Sequence, residues 1–242
     1  MSTKAYYPIS EIGKGKVGFS KTRSIIEGAF YGNNVVKVNT LREAYELAKN
    51  SPGTIVTDMP VYRGEEFGLD KDAKVLLFND GAITGRYATA RRIAGEPGVD
   101  CEALDKVAMD AIYESRWKTM YHAEVFVGLD PEFMVKAHLL IPEGEENIMY
   151  NWMLNFQYMS DEYVKMYKKS KPVGDGKEPD IYIFSDPQWC GSDRPSVSLD
   201  CLSDPQKKTL CYFNTDTNCA CILGMRYFGE HKKGTLTMVW AI

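Results

Sequence analysis

The sequence predicts an α/β fold in which a mixed sheet is flanked by helices, and three observations carry that prediction. Segments with helical spacing alternate with apolar runs of strand length along the chain. Near the middle, two stretches alternate with period two: Tyr121, Ala123, Val125 and Val127 on the first, Phe133, Val135, Ala137, Leu139 and Ile141 on the second. A turn at Gly128-Leu129-Asp130-Pro131 joins them. The chain then closes on a short apolar run, 220–223, followed by helical spacing at Leu236, Val239 and Trp240.

Taken in order, residues 1–20 carry Pro8, Gly13, Gly15 and Gly18 without periodicity and read as an irregular arm; residues 21–242 form the folded part. A short helix is expected over 24–30 and a strand over 34–38. Thr40-Leu41-Arg42-Glu43 is a capping box, opening a helix with Leu41, Ala44, Leu47 and Ala48 on one face. Ser51-Pro52-Gly53 ends it, and strands are expected at 54–57 and 75–78, the latter running into the hairpin signal Asp80-Gly81. Asp100 is placed to cap a helix whose apolar face is Leu104, Val107, Ala108, Ala111 and Ile112. The alternation at 121–141 turns His122, Lys136 and His138 away from the apolar side, and both histidines read first as structural residues on strands. Helices follow at 147–156 and 160–167, a polar loop at 168–179, and strands at 180–184, 196–202, 209–213 and 220–223.

Composition bounds the function. With 29 Lys and Arg against 33 Asp and Glu, the 242 residues carry a net charge of −4, which argues against nucleic acid or an anionic membrane as the main partner. No apolar run approaches the length of a bilayer span, and the first residues lack the apolar core of a signal peptide. The six cysteines form no C-x-x-C unit, so buried free thiols in a reducing, cytoplasmic setting are expected.

The most informative stretch is the last. Lys232 and Lys233 are expected in the first turn of the closing helix, where free N–H groups and the helix dipole already present positive charge. Two cations there make sense if an anion, or an anion-bound metal, supplies the opposite charge; otherwise both are solvated surface lysines. Arg86 follows Thr84 and Gly85 in a turn after a strand, where a guanidinium can grip a carboxylate or phosphate through two parallel hydrogen bonds.

Three segments together resemble the ATP-type phosphoenolpyruvate carboxykinases. Arg226-Tyr227-Phe228-Gly229-Glu230-His231-Lys232-Lys233-Gly234 is similar to that family's Tyr-Gly-Gly-Glu-x-Lys-Lys motif. Leu76-Leu77-Phe78-Asn79-Asp80-Gly81-Ala82-Ile83-Thr84-Gly85-Arg86 resembles the strand and turn leading to its Thr-Gly-Arg, and Gly128-Leu129-Asp130-Pro131-Glu132-Phe133 its Gly-Ala-Asp-Pro turn. They fall in the family's order over about residues 40–242, and the fold the resemblance implies is the family's N-terminal substrate domain. The implied activity is conversion of oxaloacetate and ATP to phosphoenolpyruvate, ADP and carbon dioxide. Arg86, Tyr227 and Gly229 would hold the small dicarboxylate or phosphoenolpyruvate. Lys232 and Lys233 would act catalytically, with Lys233 ligating Mn²⁺ or Mg²⁺ through a neutral amine. The chain departs from the family at Tyr87-Ala88-Thr89-Ala90, which replaces Ser-Pro-Lys-Asp, and at Phe228, which replaces a Gly. No G-x-x-x-x-G-K-[ST] phosphate loop occurs in the 242 residues, so ATP would require a separate nucleotide-binding lobe. The alternative expectation is a non-catalytic homologue that binds a small carboxylate or phosphate anion, or a partner protein.

Overall fold

The period-two stretch in the middle of the chain forms the long hairpin from which the rest of the sheet is built. In the computed structural model, which describes residues 20–78, 89–130, 132–156, 159–170 and 180–242, the strands are β1 (Val35–Val38), β2 (Thr54–Pro60), β3 (Lys74–Phe78), β4 (Arg92–Ile93), β5 (Met120–Asp130), β6 (Phe133–Pro142), β7 (Ile181–Asp186), β8 (Leu210–Asn214) and β9 (Cys219–Leu223). Seven of them make one sheet in the order β1-β5-β6-β7-β9-β8-β4, and β2 pairs with β3 in a separate two-stranded sheet. The β5–β6, β8–β9 and β2–β3 pairs are antiparallel, while β1–β5, β6–β7, β7–β9 and β4–β8 are parallel. The main sheet is therefore mixed, as the alternation of helices and strands predicts.

The helices are α1 (Lys21–Ala29), α2 (Leu41–Asn50), α3 (Cys101–Ser115), α4 (Glu146–Leu154), α5 (Asp161–Lys169) and α6 (Phe228–Ala241). Their starts are written in the sequence. Ser20 accepts from the Arg23 N–H, Asp100 from those of Glu102 and Ala103, and Ser160 from that of Tyr163. Thr40 and Glu43 close the capping box expected of them in both directions. Each such cap contributes about 1 kcal/mol by satisfying N–H groups that the helix itself leaves unpaired.

Side chains from the two faces of the sheet fill two cores. Val38, Ala123, Val125, Val135, Ala137, Leu139, Ile181, Ile183, Phe213, Ala220 and Ile222 point to one, which α2, α4, α6 and the β2–β3 pair cover. Met120, Leu140, Tyr182, Phe184, Tyr212, Cys219, Cys221 and Leu223 point to the other, covered by α1 and α3. Trp152 spans the gap between α4 and α6, donating its indole N–H to Thr235 Oγ1 at 3.0 Å.

Three expectations are corrected. Residues 196–202 form turns rather than a strand, although Val197, Leu199, Cys201 and Leu202 still pack against the second core. Only Cys211, Cys219 and Cys221 of the six free cysteines are buried; Cys190 is exposed and Cys101 and Cys201 are half-buried. The closing helix begins at Phe228 rather than after Gly229, and its buried face is His231, Gly234, Thr235, Met238 and Val239, leaving Trp240 82% exposed. The expected arm lies outside the described residues up to residue 19, as do the Asp80-Gly81 hairpin and most of the 168–179 loop.

Gly234 marks the closest approach of α6 to the sheet. A Cβ there would lie 2.6 Å from Cε1 of the buried Phe213 ring. At a free helix position, Gly→Ala stabilises by about 1 kcal/mol. Here the ring must move within a packed core, so we expect Gly234→Ala to destabilise the protein by about 1–3 kcal/mol in urea unfolding. A gain in stability would contradict this packing.

Candidate functional site

The closing motif is held between β9 and α6. Gly224 follows β9 with φ +67°, and a Cβ there would meet the Lys208 carbonyl at 2.3 Å, so this exit from the sheet requires glycine. Arg226 then reaches the buried Glu145 carboxylate at 2.8 Å. Burial pushes the Glu145 carboxyl above its ordinary value, against the pull of the Arg226 guanidinium. Tyr227 is extended and caps α6 by position, without a side-chain hydrogen bond to the helix. Its ring lies over Gly229, where an added Cβ would sit 2.5 Å from the ring. Gly229 thus makes room for Tyr227. Phe228, which departs from the family motif, packs its side chain against the first core.

Because α6 starts at Phe228, Lys232 and Lys233 lie in its second turn, which corrects their expected place in the first. The first turn holds Glu230 instead, the charge that suits a helix start. Glu230 is buried and bound to Arg91 at 2.9 Å, with Arg91 stacked over Phe213 and donating to Thr237 Oγ1. His231 turns inward, its Nε2 2.8 Å from Ser185 Oγ on β7. The two lysines turn outward. Lys232 donates to Asn155 Oδ1 at 2.8 Å, at the carboxyl end of α4, where a cation is favourable. Lys233 is exposed and has no acidic partner among the described residues.

Tyr227, Gly229, Lys232 and Lys233 are neighbours along the chain, spread over the cap and the first two turns of α6. Arg86 lies outside the described residues. Around Lys233 the ligand-type side chains are engaged elsewhere, Glu230 with Arg91 and His231 with Ser185. The described residues do not assemble a metal site there, and Mn²⁺ or Mg²⁺ at Lys233 would need ligands from beyond them.

A second polar cluster lies on the opposite face of the sheet. Glu124 and His138 stand directly opposite each other across β5 and β6, and His122 pairs with Lys37 of β1. His122 Nε2 is 3.0 Å from His138 Nδ1, and Glu124 Oε1 is 3.4 Å from the latter and 3.7 Å from the former. His138 Nε2 is 3.1 Å from Asp180 Oδ2, and its ring stacks on Tyr182 with the planes 3° apart. Phe30 closes over both imidazoles edge-on. Burial, and then His138 alongside, push His122 down to about 3. Burial opposes ionisation of Glu124, but hydrogen bonding to His138 and Lys37 outweighs it and holds the carboxyl well below its usual range. Asp180 is likewise held low, chiefly by His138 and Lys136 against burial. Sequence reasoning placed both histidines on the right face and missed Glu124. The available signal was parity, since 122 and 124 on one strand and 136 and 138 on the next interrupt the same apolar face.

His231 gives a pH test of the packing under α6. Burial lowers its imidazole to about 4 from the ordinary 6.5, so the unfolded chain takes up the proton first as pH falls. The neutral ring's contribution is complete above about pH 6.5 and is lost towards pH 4, about 3 kcal/mol in all. We expect the stability gap between wild type and His231→Gln to shrink by about 1.4 kcal/mol per pH unit in that window. A gap independent of pH from 7 to 4.5 would contradict the buried neutral ring.

Neither a family model nor a curated protein sequence matches this chain, so what its sites can do is read from their own residues.

Proposed function

We propose that the chain is the substrate-binding lobe of a phosphoenolpyruvate carboxykinase-like enzyme, and that the start of α6 binds the anionic substrate. One observation carries this reading: Lys232 and Lys233 are adjacent cations, and neither has a carboxylate partner among the described residues. Their neighbours Arg91 and Arg226 are both paired with buried glutamates. The motif thus neutralises its buried glutamates internally and leaves its two outward ammonium groups for something else. A carboxylate or phosphate meets that need, and a point charge on a flexible stem suits phosphate oxygens.

In this reading Arg86 grips the oxaloacetate carboxylate through two hydrogen bonds, and Tyr227 forms the wall beside it. Lys232 and Lys233 stabilise negative charge as carbon dioxide leaves and the enolate oxygen is phosphorylated. Lys232, anchored on Asn155, is the more rigidly placed of the two. The resemblance also implies Mn²⁺ or Mg²⁺, and ATP bound by a nucleotide lobe. Phosphoryl transfer depends on positioning phosphates, and no phosphate loop lies within these residues. The chain's own part is to bind the acid.

Calorimetric titration with oxaloacetate and with phosphoenolpyruvate tests this directly. Wild type is expected to bind, and Lys233→Ala to lose about tenfold or more in affinity, equivalent to about 1.4 kcal/mol. The Lys232→Ala, Lys233→Ala double variant should bind more weakly still, with unchanged thermal stability. Equal affinity in wild type and the double variant would remove α6 from the binding site.

A further inference from the structure

We propose that His122, Glu124 and His138 form a binding site for a late first-row divalent cation of the Zn²⁺ class. This goes beyond the substrate reading and does not depend on it, since these residues sit on the sheet face turned away from α6. Among the described residues this is the one group of three or more His, Cys, Asp or Glu side chains whose ligand atoms all lie within 4.8 Å of one another.

Geometry is the first argument. A tetrahedral ion bonded at about 2.0–2.1 Å sets its ligand atoms about 3.3 Å apart. The three separations here, 3.0, 3.4 and 3.7 Å, bracket that spacing without any movement of the backbone. Two imidazoles and one carboxylate with a fourth position open suit zinc, and suit Mg²⁺ or Ca²⁺ poorly because those ions prefer all-oxygen sets.

The outer contacts are the second argument. Asp180 accepts from His138 Nε2 and is itself held by Lys136 at 3.4 Å and by the Tyr167 hydroxyl. A carboxylate behind a ligating histidine is the arrangement that fixes the ring and raises its basicity. With Nε2 turned to Asp180, His138 Nδ1 faces both His122 Nε2 and Glu124 Oε1. In the metal-free protein His122 Nε2 and His138 Nδ1 share one hydrogen bond at 3.0 Å. An arriving cation takes the place of this shared proton, which is released to solvent, so that both nitrogens face the ion.

Access is the third. A cavity of about 230 Å³ lined by Lys37, Val38, Asn39, Glu124 and Met159 opens beside the Glu124 carboxylate. Lys37 now occupies Glu124 Oε1 at 2.9 Å, but its side chain is 49% exposed and can swing into solvent as the ion arrives. Lys37 is then a competitor for the site.

The test is Co²⁺ and Zn²⁺ binding to the full chain, with the cysteines alkylated in a parallel sample. We expect one ion per chain, tetrahedral Co²⁺ ligand-field bands, no thiolate charge-transfer band, and no change on alkylation. His122→Ala and Glu124→Gln should each weaken binding by tenfold or more, and Asp180→Asn by about 10–100-fold. Lys37→Gln should strengthen it. Nitrogen-15 spectra of the histidine rings of wild type, which need no variant to fold, should show His122 Nε2 and His138 Nδ1 shifting on Zn²⁺ addition. Ring nitrogens that do not move, equal affinity in wild type and the His122 and Glu124 variants, or binding abolished by alkylation would each overturn the site.

Discussion

Everything in this molecule depends on the pairing of β5 with β6. Eight consecutive positions, from Met120 opposite Pro142 to Val127 opposite Val135, keep one register before a bulge near the turn shifts it. In a pleated strand, neighbouring side chains go to opposite faces, so this one register assigns every residue of the hairpin to a side. The odd-numbered positions bury Ala123, Val125, Val135, Ala137, Leu139 and Ile141 in the first core. The even-numbered positions must then place His122, Glu124, Lys136 and His138 on the other. A slip by one residue would put two imidazoles and a carboxylate among the apolar side chains under α2 and α4, and turn the apolar set towards Lys37 and Asp180. The cost of burying those polar groups away from their partners protects the cluster's position.

The two faces do different work. Under α6 and α4 the contacts are close and largely apolar, and the buried polar groups are tied off within the protein: Trp152 to Thr235, His231 to Ser185, Glu230 to Arg91, Glu145 to Arg226. Those ties leave the outward lysines of α6 as unneutralised charge. On the other face, the polar cluster ends near solvent at Lys37 and is backed by Asp180, Tyr167 and Tyr182. Removing Arg91 or Arg226 would leave the buried Glu230 or Glu145 carboxylate without its counter-charge, which is destabilising.

Much of this was legible from the residues. Period two at 121–141 gave the hairpin and the face of both histidines, and the Thr40 capping box and the Asp100 cap gave two helix starts. Local chemistry decides those features, so local reading finds them. Helix α6 was misread by a few positions because Gly229 looks like a turn residue; its actual reason is the Tyr227 ring, a contact that sequence spacing does not display. Residues 196–202 were misread because their apolar side chains pack against the second core from turns, without any partner strand. Glu124 was overlooked because its significance comes from standing opposite His138, and pairing register is a property of two strands at once. The parallel placement of β1 beside β5, which brings Lys37 to His122 and Glu124, is a tertiary fact of the same kind.

The central claim is that the β5–β6 register delivers three ligand atoms to one point on the sheet. Anomalous diffraction at the zinc absorption edge, from crystals of the whole chain grown with Zn²⁺, measures this most directly. The account predicts one strong peak within bonding distance of His122 Nε2, His138 Nδ1 and Glu124 Oε1. The contradicting result is a map with no peak there and the two imidazoles still sharing a hydrogen bond, or with His122 and His138 on opposite faces of the sheet.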